Sequence, residues 1–169
     1  MKTVTLIRHA KSSWEYPRIT DYARPLNKRG IKSAPLMGQD LAREGITFQR
    51  IFTSGAIRTY HTAVLIAYEL SLPVTRIRVK RELYQCSAGK LLSFLQSRKN
   101  KHTHVAVVGH YPSLPQLAAL LTGDRVDHFP TCAAIRIRFE GNDWSQIAPG
   151  TGTRVYFQYP KNLPEYHSS

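Results

Sequence analysis

Three short stretches of the chain combine cationic, nucleophilic and small residues in a pattern suited to phosphoryl chemistry. They are Arg8-His9 after the apolar run Thr3-Val4-Thr5-Leu6-Ile7, Ser54 through Arg58 after Ile51-Phe52-Thr53, and Gly109-His110 after His104 to Val108. Arginine forks match phosphoryl oxygens bidentately and stay charged at any working pH, so Arg8 and Arg58 can hold the three nonbridging oxygens of one phosphoryl group. Two guanidinium groups also disfavour a proton on a neighbouring imidazole, which keeps His9 neutral and nucleophilic near pH 7. His9 could then attack phosphorus in line to form a phosphohistidine that water later hydrolyses. His110, protonated under the pull of the phosphate, would add positive charge as the transition state forms. The start of a helix near Ser54 to Ile57 can contribute backbone N–H groups to the same anion.

These residues are far apart in the chain, and a strand-and-helix pattern must bring them together. Strand signals fall at residues 3–7, 51–53, 76–80, 104–108, 134–139 and 154–157, where β-branched and apolar residues run or alternate. Helical apolar faces fall between them. One is capped by Asn27 and stops at Gly45, although Gly30, Pro35 and Gly38 weaken its first half; the others cover about Ala56 to Leu70, Ala88 to Arg98 and Ser113 to Leu121. Alternating strands and helices predict an α/β fold, a three-layer α/β/α sandwich around a mostly parallel central sheet. In such sheets ligands bind outside the carboxyl ends of the strands, where all three stretches lie. The domain is expected to span residues 1–159, with 160–169 a frayed tail.

Composition narrows the class. A length of 169 residues suits one domain, and 42% hydrophobic with 21% charged residues argues against a disordered, fibrous or membrane-spanning chain. Lys+Arg number 24 against 11 Asp+Glu, a net charge of +13, which points to anionic partners. Met1 leads straight into the first strand with no export signal, and Cys86 and Cys132 are too few for a disulfide framework. The expectation is a cytoplasmic protein with both thiols reduced and buried.

In order, the motifs are Leu6-Ile7-Arg8-His9-Ala10-Lys11-Ser12-Ser13-Trp14, Asp21 with Arg24-Pro25-Leu26-Asn27-Lys28-Arg29-Gly30, Thr53 through Thr59 with Thr62-Ala63, and Val107-Val108-Gly109-His110-Tyr111-Pro112. Together they resemble the histidine phosphatase superfamily, and more narrowly its SixA-type phosphohistidine phosphatases, over roughly residues 3 to 135. The resemblance implies a phosphoglycerate mutase-like fold and no cofactor or metal. It places Arg8, His9, Arg58 and His110 in the phosphate pocket, with His9 as the residue that becomes phosphorylated. Lys11, Ser12, Ser13, Ser54 and Tyr111 are expected to bind substrate at that pocket or its mouth. Asp21 and Arg24 are expected to pair and shape the loop over it.

Superfamily members that cleave phosphate esters carry a carboxylic acid after the third strand to protonate the departing alkoxide. The stretch here is Arg81-Glu82-Leu83-Tyr84-Gln85-Cys86, and the best register puts Gln85 at that position. Glutamine cannot act as a general acid, which favours a phosphoramidate substrate whose imidazole leaves from a weak P–N bond. A slip of three would bring Glu82 in as the possible acid and restore phosphate monoesters.

The expected partner is a phosphohistidine-bearing protein such as a phosphotransfer domain, or a small phosphorylated substrate such as a sugar or nucleotide phosphate. A phosphate- or nucleic-acid-binding module without turnover is the reading from another class, opposed by the intact His9. The basic runs Arg76-Ile77-Arg78-Val79-Lys80 and Arg98-Lys99 read as a wet strand face and a helix end, and without interleaved aromatics they do not make a nucleic-acid platform. His102, His104 and His110 lack the spacing of a metal site.

Overall fold

The computed structural model describes residues 1–168. Its strands are β1 (Lys2–Arg8), β2 (Arg50–Thr53), β3 (Ile77–Val79), β4 (His104–Gly109), β5 (Ala134–Phe139) and β6 (Thr153–Gln158). Between them run α1 (Lys28–Arg43), α2 (Ile57–Glu69), α3 (Ala88–Gln96) and α4 (Ser113–Thr122). The sheet order is β3-β2-β4-β1-β5-β6, with β3, β2, β4 and β1 joined in parallel and β5 antiparallel to both β1 and β6. This is the α/β architecture expected from the alternation, with one strand reversed.

Period-two alternation along the inner strands sorts side chains onto two faces. Val4, Leu6, Val105, Val107, Ile135 and Ile137 pack with the apolar sides of α3 and α4. Ile7, Ala106, Val108 and Ala134 pack with Ala34, Met37 and Leu41 of α1 and Ala63 and Ile66 of α2. The sheet is therefore covered on both sides, which is why its inner strands read as nearly unbroken apolar runs. No described helix is long and apolar enough to cross a membrane.

Helix α1 tolerates its weak formers for identifiable reasons. Asn27 caps it by accepting a hydrogen bond from the Gly30 amide at 2.9 Å, and Pro35 sits eight residues in. A Cβ on Gly30 would collide with the Lys11 carbonyl, so this glycine lets the helix touch the loop that follows β1.

The segment after β6 differs from the expected frayed tail. Residues Pro160–Asn162 and Pro164–His167 form two 3-10 turns, and Leu163 between them is 2% exposed within the α1–α2 core. Burying one leucine and pairing Arg43 with Glu165 at 3.1 Å ties this segment to α1. Ser169 of that expectation lies outside the described residues. Strand β3 is also shorter than the alternation suggests, because Arg76 ends a 3-10 turn and only Ile77–Val79 pair with β2.

Candidate active site

Register places the histidines. Arg8 pairs with Gly109 across β1 and β4, so the next residue of each strand, His9 and His110, emerges at the same level of the sheet. The His9 amide then donates to the Gly109 carbonyl at 3.0 Å, and the two imidazole centroids lie 5.6 Å apart. Thr53 pairs with Val108, which brings Ser54 beside His110, and α2 opens so soon afterwards that Arg58 falls in its first turn. Ala10 is held to α2 through its amide, which donates to Thr62 Oγ1 at 3.0 Å.

The His9 Nδ1 lies 2.7 Å from the Ala10 carbonyl. A carbonyl can only accept, so Nδ1 carries the proton and Nε2 keeps its lone pair. Burial pushes the His9 pKa down to about 3 against the effect of that hydrogen bond, with Arg58, His110 and Arg8 lowering it further. The imidazole is neutral as expected, with burial a larger cause than the arginines.

His110 is likewise pushed down to about 4 by burial first and then by Arg58, with Asp21 opposing. Its Nδ1 faces Arg58 Nη2 at 3.4 Å, and a guanidinium can only donate, so the neutral ring carries its proton on Nε2. That proton is donated to Ser54 Oγ at 2.7 Å. Ser54 Oγ in turn meets Thr59 Oγ1 at 3.0 Å, and Thr59 donates to the Ala56 carbonyl at 2.9 Å. Each hydroxyl of this chain therefore has one direction open to it, and the chain fixes the ring of His110.

Arg8 Nη1 donates to the Phe129 carbonyl at 3.0 Å, and its guanidinium lies 4.9 Å from the Tyr111 ring centre. Arg58 is held from below: Nη1 donates to the Asp21 carbonyl at 2.6 Å and Nη2 to Asp21 Oδ2 at 3.0 Å. The Nε groups of both arginines are buried and have no partner among the described residues. Two orphaned cationic N–H groups beside a free imidazole nitrogen are what an oxyanion would satisfy.

The cleft above these groups measures about 360 Å³ and is lined by Arg8, His9, Arg58 and His110, together with Gln85, Cys86 and Tyr111 and the first turn of α4. Tyr111 stands exposed at its rim, where a substrate-binding residue was expected. Ser54 is 0% exposed and lies behind His110, outside the lining of the cleft, with its hydroxyl bonded to that ring. Ser12 and Ser13 are buried, and the Ser12 hydroxyl is taken by Arg24 Nη2. Lys11 is exposed and lines a different cavity, beside Arg29, His128 and Tyr166. The chain turns at Ala10, and Lys11 follows it toward α1. Glu82 sits exposed on a 3-10 turn (Arg81–Leu83), outside the lining of the cleft, whereas Gln85, with φ +54°, turns into it. Cys132 is fully buried as expected, but Cys86 is half-buried and faces the cleft.

Asp21 pairs with Arg24 at 3.5 Å, as the loop reading anticipated, and also with Arg58. What the sequence reading missed is Tyr84, whose hydroxyl donates to Asp21 Oδ2 at 2.5 Å and whose ring meets His110 edge-on at 5.5 Å. Tyr84 and then Arg58 hold the Asp21 carboxyl below the usual carboxylate range, against the opposing effect of partial burial. No local spacing links residues 21, 58 and 84; the tyrosine preceding Gln85 was the available hint. Among the described residues no cluster of three or more His, Cys, Asp and Glu side chains could hold a metal ion.

Residues 4–92 match the family model of the histidine phosphatase superfamily, branch 1. An uncharacterized protein of Mycobacterium tuberculosis is 30% identical over 166 residues, covering 92% of this chain and 100% of that one. A 2,3-bisphosphoglycerate-dependent phosphoglycerate mutase of Methylobacterium radiotolerans is 33% identical over 92 residues, 53% of this chain and 43% of the mutase. Among solved structures, the protein histidine phosphatase SixA complexed with tungstate is 27% identical and superposes with a TM-score of 0.81 over 95% of this chain and 99% of that one. The strand-end histidines, the two arginines and the parallel core that aligns them occur in a sequence matched over more than half its length, and this chain belongs to the histidine phosphatase superfamily.

Proposed function

We propose that the protein is a phosphohistidine phosphatase working through a phosphohistidine intermediate on His9 and needing no metal ion. Phosphorus moves from the substrate imidazole to His9 Nε2, so that one P–N bond forms as the other breaks, and the released imidazole takes its proton from water. Water then attacks the phosphorylated His9, inorganic phosphate leaves and the neutral ring is restored. Arg8 and Arg58 supply the fixed positive charge around the equatorial oxygens, and His110 donates from Nδ1 once the incoming dianion has raised its proton affinity.

The observation that carries the choice of substrate is Gln85 lining the cleft while Glu82 lies outside it. No described residue of the lining carries a carboxyl group. Asp21, the carboxylate tied to Arg58, is held ionised by Tyr84 and Arg58 and cannot give up a proton it does not hold. An alkoxide leaves badly without an acid, and an imidazole leaves readily. The likeness to a solved protein histidine phosphatase supports the same reading. A soluble phosphorylated protein domain or a small phosphoramidate could reach a site of this openness, and the net charge of +13 would draw either toward it.

The test is a set of single-turnover and steady-state measurements on a phosphohistidine-bearing phosphotransfer domain and on a panel of alkyl and aryl phosphate esters, with His9→Ala in parallel. Phosphohistidine should turn over and leave a transient acid-labile label on His9. Full turnover by His9→Ala would refute the mechanism, and equal rates on alkyl esters would refute the substrate assignment. Anion binding without turnover by the native protein would make it a binding module.

A further inference from the structure

A second cleft, sharing no residue with the catalytic one, opens between the β2–β3 edge of the sheet and the turn that follows α3. Six cations line it: Arg50, Arg78, Lys80, Arg98, Lys99 and Lys101. In sequence they belong to separate runs, each with a local explanation. Arg78 alternates along a strand, and Arg98 and Lys99 follow the C-terminal end of α3, where the helix dipole favours cations. Those explanations do not account for the runs meeting.

They meet because β2 and β3 pair with Phe52 opposite Arg78, and because Arg98 crosses from α3 to lie 5.1 Å from the Phe52 ring centre and 3.7 Å from that of Phe94. The result is a concavity of about 300 Å³ with no carboxylate among its lining residues. None of the six cations takes part in any ion pair between described residues. Glu82 acts on Arg98 only from outside the cleft. His102 in the wall has its protonated form disfavoured by burial and then by Arg50, Lys101, Lys99 and Lys2, all of one sign.

Six like charges in so small a space repel one another unless an anion occupies it. Phe52 is 4% exposed beneath Arg98, so no open aromatic face awaits the bases of a single strand. A concavity of this size suits a compact ligand with several charges and does not suit the broad face of a duplex. We propose that the cleft is a binding site for a compact polyphosphorylated anion, whose phosphoryl oxygens are taken by the guanidinium N–H groups of Arg50, Arg78 and Arg98 left over from their bonds to the Gln49, Thr75 and Phe94 carbonyls and the Ser97 hydroxyl, and whose remaining charge is met by the three lysines. Such an anion is either a short inorganic polyphosphate or the triphosphate of a nucleotide.

Calorimetric titration of the full chain at physiological ionic strength, with tripolyphosphate and with ATP, separates these sources. Tripolyphosphate should bind saturably to the native protein and to His9→Ala alike, and an Arg78→Gln, Lys99→Gln, Lys101→Gln triple variant should bind it at least about tenfold more weakly. The triple variant's unaltered circular dichroism and melting would show that it folds. ATP binding as tightly as tripolyphosphate assigns the nucleotide, and tripolyphosphate alone assigns the inorganic chain. Absence of saturable binding, equal binding by the triple variant, loss of binding in His9→Ala, or tighter binding of a short DNA duplex would overturn the proposal.

Discussion

Removing the Ser54 hydroxyl tests whether the orientation of His110 is built into the fold. Ser54 is 0% exposed and its Oγ accepts from His110 Nε2 at 2.7 Å and from the Ala56 amide at 3.3 Å, so Ser54→Ala leaves a buried imidazole N–H without a partner and weakens one helix-start contact. Thr59 loses the Ser54 hydroxyl but keeps its own bond to the Ala56 carbonyl, so the group left wholly without a partner is the His110 N–H. An orphaned buried donor costs about 1–3 kcal/mol, and a midpoint of about 2 kcal/mol corresponds to a fall in Tm of about 4–8 °C for a domain of this size. The ring also loses the acceptor that selects its Nε2–H form, so kcat/KM should fall by about tenfold, or about 1.4 kcal/mol of transition-state stabilisation. Scanning calorimetry and steady-state kinetics on a phosphoramidate give both numbers. Adding Ser54→Ala to His110→Ala should then cost little further activity, because the two act as a unit. Native Tm and kcat/KM in Ser54→Ala, or losses that simply add in the double variant, would refute the reasoning.

Two other perturbations follow from the same site. With pKa values held near 3 and 4, His9 and His110 stay neutral in the folded protein while an unfolded chain protonates both below about 6.5. Stability is then full above that pH and declines as pH falls toward 4, by up to about 2.7 kcal/mol per pH unit for two protons, and denaturant melts of His110→Gln should show about half this slope. Gln85→Glu puts a carboxyl where an acid would act, on a backbone position at φ +54° that either residue occupies alike. It should raise kcat/KM for alkyl phosphates by about a hundredfold relative to phosphohistidine, most at acid pH because Arg8 and Arg58 favour the ionised form. An unchanged ester-to-phosphohistidine ratio would show that leaving-group protonation is not what separates the substrates.

Much of this was local and therefore legible. Apolar runs ending in Arg8-His9 and Gly109-His110, the Asn27 cap and the Gly45 stop are written within a few residues of where they act, because strand alternation and helix capping depend on near neighbours. The meeting of the two histidines then required a parallel pairing of β1 with β4, which the strand–helix alternation permits and the strand order of the folded sheet supplies. The apolar Leu163 in the final turns was missed because a single residue among prolines and polar groups carries no periodic signal.

The sequence by itself determined the fold class and the cationic, histidine-bearing character of the strand ends, because those depend on side-chain type and local pattern. Only the tertiary structure decided which side chains share a space. It turned Gln85 into the cleft and left Glu82 outside, sent Lys11 toward α1, joined Asp21 and Tyr84 to Arg58, and gathered Arg50, Arg78 and Arg98 around one concavity. Each of these pairs residues distant in the chain, and their separation is set by strand register and by single backbone turns. A change of one residue in register reverses the face a side chain occupies, and residue type does not record that choice.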